Sequence, residues 1–160
     1  MKEKYILYNA ITLNASGVRY NAIALEISIV ELRKHKHHFT FDFISLKNKG
    51  IKVYKICKEN EEDILQALVA FSPSQGVLDC YNMEVSILNK KPVLLYDGLG
   101  KSIIALCCKV SLDCGLEGFI TFEAKNRLIP YYARFGAKKT FGLRMYINNI
   151  DAKKLIDIYF

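Results

Sequence analysis

Tryptophan is absent from the chain, and proline occurs only three times. The aromatic content is 10 Tyr and 9 Phe, which suits core packing better than a platform for stacked bases. No apolar run approaches the roughly 20 residues that a membrane helix needs. The opening MKEKYILYNA lacks the apolar stretch of a secretory signal, so the expected location is the cytoplasm. The five cysteines, Cys57, Cys80, Cys107, Cys108 and Cys114, are odd in number and have no CxxC spacing. Neither a disulfide framework nor a zinc site is written there, and free thiols in a reducing compartment are expected. Repeats, low-complexity tracts and Pro/Ser-rich linkers are missing too, so any division of the chain is functional and not a hinge between domains.

What is present suffices for one core. In 160 residues, 51% are hydrophobic and 24% charged, which supports burial and argues against long disorder. The net charge of +7 favours anionic partners, a description that nucleotide cofactors, tRNA and nucleic acid satisfy equally.

The first half reads mostly as strands. Asn21 to Val30 is ambiguous between strand and helix, whereas HFTFDFISL from His38 to Leu46 alternates as a strand should, with a turn at Asn48 to Gly50. Ile51 to Cys57 alternates again and is expected to complete a hairpin with it. Ile64 to Phe71, punctuation at Ser72 to Gly76, and VLDCYNMEV suggest a second hairpin.

In the second half, Ile103, Cys107, Val110 and Cys114 recur at helical spacing within Lys101 to Cys114, and Gly115 suits the stop. Gly118 to Glu123 has the continuous apolar pattern of a buried strand, which makes strand, helix and strand a βαβ unit. A further helical segment covers Asn126 to Phe135, where Pro130 suits a first turn. Thr140 to Ile147 reads as a strand and Asp151 to Ile158 as a last helix.

The most informative local feature is GLGKS at residues 98–102, between an apolar segment and a helix. Glycines let backbone approach an anion, and amides at a helix N-terminus carry partial positive charge and lack internal acceptors. A pyrophosphate bound there would satisfy both. The bland alternative is a glycine turn before a helix. A Walker A loop would need glycine at the position of Leu95, so the NTPase reading fails. Cys107 and Cys108 lie inside the amphipathic helix, where cysteine behaves as a small hydrophobe. His35, His37 and His38 in RKHKHH suggest a metal cluster or an anion patch, but with no second ligand group apparent they read as a solvated basic turn.

Met83-Glu84-Val85, Gly98-Leu99-Gly100 and Tyr131-Tyr132-Ala133-Arg134-Phe135-Gly136-Ala137 follow one another in order. They resemble the Leu-x-Val-like strand end, the Q/R-x-x-G-x-G/A loop and the xYxxxGF-like helix segment of the GNAT (Gcn5-related N-acetyltransferase) superfamily. Residues 64–160 are similar to small bacterial members of unassigned substrate. Two departures stand out: Leu95 replaces the polar residue that begins the loop pattern, and NKKPVLLYD is inserted before the glycines.

The resemblance implies a single α/β (α+β) domain with a mixed, mostly antiparallel central sheet flanked by helices and a βαβ unit at the acyl-CoA site. Residues 1–75 would form the acceptor side and residues 76–160 the cofactor half. It implies acetyl-CoA or another short acyl-CoA as co-substrate, no metal, and Met83, Val85, Asp97, Gly98, Leu99, Gly100, Lys101, Ser102 and Asn126 as cofactor contacts. Tyr132 would be the general acid with Tyr131 as the spare, and Glu84 the base with Asp79 as a weaker substitute. The acceptor would be a primary amine on a small molecule, peptide or aminoacyl group, and no membrane partner is implied. The competing reading is a non-catalytic module on the same fold that binds acyl-CoA or nucleic acid.

Overall fold

The computed structural model describes residues 1–160. The chain begins with strands β1 (Lys4–Leu13) and β2 (Arg19–Glu26), then helices α1 (Ile29–His35) and α2 (Phe43–Asn48). Strands β3 (Lys52–Lys58), β4 (Ala67–Ser74) and β5 (Val77–Val85) follow, then the two-residue β6 (Tyr96–Asp97). Helix α3 (Leu99–Asp113), strand β7 (Ile120–Glu123), helix α4 (Ile129–Ala133), strands β8 (Lys138–Lys139) and β9 (Arg144–Ile147), and helix α5 (Asn149–Tyr159) complete it.

All nine strands join one sheet in the order β6-β1-β2-β3-β4-β5-β7-β9-β8. Every neighbouring pair is antiparallel except β5 and β7, which run parallel through the α3 crossover. The larger core lies on the face covered by α3 and α5, and the smaller one, with Leu32 and Phe43, lies on the face covered by α1 and α2.

Helix α3 is apolar nearly all round, since Ile103 through Cys108 are all buried. A helix with that pattern must be covered on two sides. The sheet takes one, and α5 packs on the other. Each large side chain so enclosed contributes about 1.5–3 kcal/mol of burial. Cys107 and Cys108 belong to this packing, and burial raises both thiols far above their ordinary range; for Cys107 a contact with Cys80 contributes most.

The expected strand over His38 to Leu46 is not formed. A 3-10 turn covers Lys36–His38, and α2 starts at Phe43 because the Asp42 carboxylate accepts from the Ser45 amide at 3.0 Å. The alternation of Phe39, Phe41 and Phe43 therefore belongs to a loop and helix start, and β3 pairs with β2 and β4 instead. The ambiguous Asn21 to Val30 divides into the end of β2 and the start of α1, with Ser28 capping the Glu31 amide. The single strand expected over Thr140 to Ile147 is the β8–β9 hairpin, entered two residues earlier. No helix is long and apolar enough to cross a membrane.

The turn from α3 into β7 uses Gly118 at φ +86°, and a Cβ there would come within 2.8 Å of Ala152 Cβ on α5. Gly118→Ala combines backbone strain with this collision, so a loss of about 2 kcal/mol is expected. Thermal denaturation should show a midpoint lower by about 4–8 °C. An unchanged midpoint would mean that α5 yields freely at this contact.

Candidate active site

Strand β5 contains one residue too many for its partner. Its ladder with β4 reads Ala70↔Asn82 and then Phe71↔Cys80, which leaves Tyr81 as a bulge. An extra residue reverses the side on which every later backbone group and side chain falls. Before the bulge, the Leu78 amide donates toward β7, to Phe119 O at 3.0 Å. Beyond β5, the Ser86 amide donates toward β4, to Gln66 O at 2.8 Å. By alternation, the amides and carbonyls of Met83 and Val85 face the β7 side.

No strand meets them there. Strand β7 pairs with β5 only from Leu78↔Ile120 to Cys80↔Phe122, and β5 then runs on along β4 alone. The result is a fork between parallel strands, with unpaired backbone groups along one edge. The same reversal puts Met83 and Val85 against the α3 core and turns Glu84 to the opposite face.

Helix α3 begins above this fork. Gly98 is its N-cap at φ +88°, no side chain caps it, and the first i to i−4 bond is Ser102 N to Gly98 O at 3.0 Å. The amides of Leu99, Gly100 and Lys101 therefore lack intrahelical acceptors. Gly98 has no alternative residue, because a Cβ would lie 2.7 Å from Ala10 O. Of the residues expected to touch a diphosphate, Gly98, Gly100 and Lys101 are half-buried, whereas Leu99 is buried. Ser102 is buried as well: its hydroxyl faces β1, 2.8 Å from Gly98 O and 3.0 Å from Ala10 O. Its side chain is corrected from ligand to structural anchor.

The inserted segment before the glycines crosses the end of the sheet and is tied down at Asn89. That side chain donates to Gln66 Oε1 at 2.9 Å and accepts from the Tyr96 amide at 2.8 Å. Leu95, which breaks the loop pattern, accepts through its carbonyl from the Asn14 amide. Asp97 is exposed beside the helix start, and its carboxylate accepts from the Gly98 amide at 2.9 Å. Asn126 lies in an exposed 3-10 turn before α4, and its side chain makes no hydrogen bond with the rest of the protein.

Helix α4 separates the two tyrosines. Tyr132 packs edge-on over Phe122, with ring centres 4.9 Å apart, at the last residue of β7 still paired with β5. Burial, aided by neighbouring Tyr131 and Cys107, pushes its hydroxyl up to about 12, so it keeps its proton at physiological pH. Tyr131 instead sets its hydroxyl over Gly100, where a Cβ would collide with it. Burial and then Asp97 raise its pKa, while Arg134 and the Lys101 amide act against that. Lys101 reaches over the Phe135 ring at 5.6 Å and Arg134 over the Tyr131 ring at 5.3 Å, so two cations flank the helix start.

Glu84 does not fit the expected base. Its carboxylate accepts from the Thr40 and Phe41 amides at 2.8–2.9 Å and forms an ion pair with Lys90. Burial pushes this carboxyl up, but the bonds from Lys90, Phe41 and Thr40 outweigh it and hold the group below its usual range. A carboxylate so occupied is a structural clamp. Asp79 is occupied too, 2.7 Å from the Arg144 guanidinium and 3.1 Å from the Thr121 hydroxyl. Glu123, exposed at the end of β7 and without an ion pair, is the free carboxylate at the rim of the fork. The sequence reading missed it because GFITFE registers only as a buried strand. The three histidines of RKHKHH share one turn, with His37 and His38 rings 4.1 Å apart, and no group of three His, Cys, Asp or Glu side chains is placed to hold a metal.

No protein-family model matches the sequence, and no curated protein matches it significantly. Solved structures do match the fold. A structure described as a bacterial toxin superposes with TM-score 0.60 at 10% identity, over 85% of this chain and 95% of that one. A mutant AtaT toxin, bound to the C-terminus of the antitoxin AtaR and acetyl-CoA, gives 0.57 at 9% identity over 85% and 98%. An acetyltransferase of the GNAT family from Staphylococcus aureus Mu50 gives 0.51 at 11% identity over 80% and 99%. The chain therefore has the fold of GNAT-family acetyltransferases, with the mixed, mostly antiparallel sheet flanked by helices that was expected of it.

Glu84 yields a pH signature. A carboxyl held below its ordinary value of 4.5 stabilises the fold above that pH, and the contribution disappears as the pH falls through the lowered value. Glu84→Gln should cost about 1–3 kcal/mol at pH 7 by chemical denaturation. The gap from the unmodified protein should close on acidification below pH 4.5. A gap independent of pH would show that the carboxylate charge is not what holds the Thr40 and Phe41 amides.

Proposed function

We propose that the protein is an N-acetyltransferase that transfers an acetyl or other short acyl group from CoA to a primary amine by direct attack. The observation that carries this reading is the fork. Strand β5 runs on past β7 with Met83 and Val85 unpaired on that edge, the start of α3 has no side-chain cap, and the Tyr132 ring packs on Phe122, the last β7 residue paired with β5. The presence of acetyl-CoA on the structurally similar AtaT toxin supports acyl-CoA as the co-substrate.

In this scheme the pantetheine arm completes the ladder that β7 abandons, and its amides pair with Met83 and Val85. The diphosphate takes the Leu99, Gly100 and Lys101 amides together with the Lys101 charge, while Asp97 opposes it. A donor on the β5 edge stabilises the thioester oxyanion as it forms, and holding both substrates at the fork supplies much of the rest. The acceptor ammonium loses one proton before it attacks, through water or Glu123, and the second as the tetrahedral adduct collapses. Tyr132 protonates the leaving thiolate. Residues 76–160 form the cofactor half, residues 1–75 the acceptor side, and the cytoplasm, with its reduced thiols, is the proposed setting.

Acetyl-CoA should bind in a calorimetric titration, and thiol release with a competent amine should follow. Tyr132→Phe should lower kcat by at least about tenfold with little change in CoA affinity. Unchanged turnover would remove Tyr132 from the scheme. No heat with acetyl-CoA, beside tight nucleic-acid binding that falls steeply with salt, would replace the reading with a polyanion-binding module.

A further inference from the structure

A cavity lies on the opposite face of the sheet from α3. It encloses about 330 Å³ between the segment Lys36 to Ile44 and the β4 strand. Leu32, Phe39, Phe41, Phe43, Ile44 and Leu68 give it apolar walls. Cavities of about 300–1,000 Å³ accept small ligands.

This cavity is built against the strand that carries the fork. Glu84 of β5 holds its wall through the Thr40 and Phe41 amides, and Leu68 is the β4 residue directly paired with Glu84. Met83 and Val85, on either side of Glu84, present the unpaired backbone edge. An acceptor seated here approaches β5 from one face, while Tyr132 approaches the fork from the other.

The rim sets the charge. Lys36 and His37 line the cavity, within the run Arg33 to His38 that contains no acid. The one carboxylate in the lining, Asp42, is occupied by the Ser45 amide, and nearby Glu31 is paired with Lys55. A polycationic acceptor would meet like charge with no free carboxylate to receive it.

We infer that this cavity is the acceptor site, and that it takes a primary amine bearing one apolar side group and one anionic group, the pattern of an aromatic or branched α-amino acid. The inference rests on the acetyltransferase reading and gives it a substrate class. The side group fills the phenylalanine-lined space, the carboxylate faces Lys36 and His37, and the amine points along β5 toward the thioester. Transfer forms the N–C bond to the acetyl carbon and breaks the C–S bond. Of the two protons the ammonium loses, one ends on the CoA thiol by way of Tyr132 and the other in solvent.

The test is a titration of the full, isotope-labelled chain with L-phenylalanine and, separately, with spermidine, followed by amide shifts. L-Phenylalanine should shift amides within residues 36–44 to saturation, and spermidine should not. Ile44→Trp fills the cavity and should weaken L-phenylalanine binding at least tenfold. Lys36→Glu, an exposed change that leaves folding untouched, should weaken it several-fold. Acetyl-CoA titrations of both variants should match the unmodified protein. Absence of shifts in 36–44 at millimolar L-phenylalanine, equal binding by the variants, or competition by spermidine would overturn the assignment. Failure of acetyl-CoA to bind is read separately: it would sink the acetyltransferase reading while leaving the amide map of the cavity intact.

Discussion

One surplus residue in β5 organises the site. Without the bulge at Tyr81, the amides of Asn82 and Glu84 would face β7, Glu84 would point into the α3 core, and Met83 and Val85 would lie on the other side. A buried carboxylate in that apolar cluster would cost several kcal/mol or stay protonated. The bulge avoids this: it sends Glu84 to amides that want an acceptor, and it leaves backbone donors where β7 has gone. Fork, clamp and the cavity wall that Glu84 holds are consequences of one change in parity.

Helix α3 answers the same need from above. A parallel pair requires a crossover, and a crossover helix starts at the C-terminal end of the strands, where this sheet opens. Its free amides are thus brought to the open end of the fork by topology. Glycine at 98 permits the entry because backbone of β1 occupies the space a side chain would need. Burial of α3 between sheet and α5 then fixes its start against the pull of the long preceding segment, which Asn89 pins by three hydrogen bonds.

The second half of the fold was legible because its signals are local. Gly-Leu-Gly before a helical apolar period, a β-branched and aromatic strand, and Pro130 at a helix start each act within a few residues. The region from His38 to Leu46 was misread because its alternation is real but serves another purpose, with Phe39, Phe41 and Phe43 lining a cavity instead of a sheet face. The fate of its backbone donors depends on Glu84, some forty residues away, and no local pattern reports it. Glu84 was read as a base for the same reason: the residue type fits, but its partners lie elsewhere in the chain. Likewise the bulge has no marker in VLDCYNMEV, since it is defined only by the register against β4.

The placement of Tyr131 bears on how the site is filled. Its hydroxyl lies over Gly100, beside the amides that a diphosphate would use, and the ring is held between Tyr132, Phe135 and Arg134. A phenol oxygen carries only a partial negative charge, so it answers the partial charge of the helix start weakly. In the proposed scheme a diphosphate would bring full charges within reach of Lys101 and Arg134, which rest on aromatic rings. That exchange would favour the anion, with the tyrosine turning aside or donating a hydrogen bond to a phosphate oxygen. Tyr131 thus stands at the helix start and Tyr132 over Phe122, where β7 leaves β5, which is why the proposed scheme gives the sulfur to Tyr132.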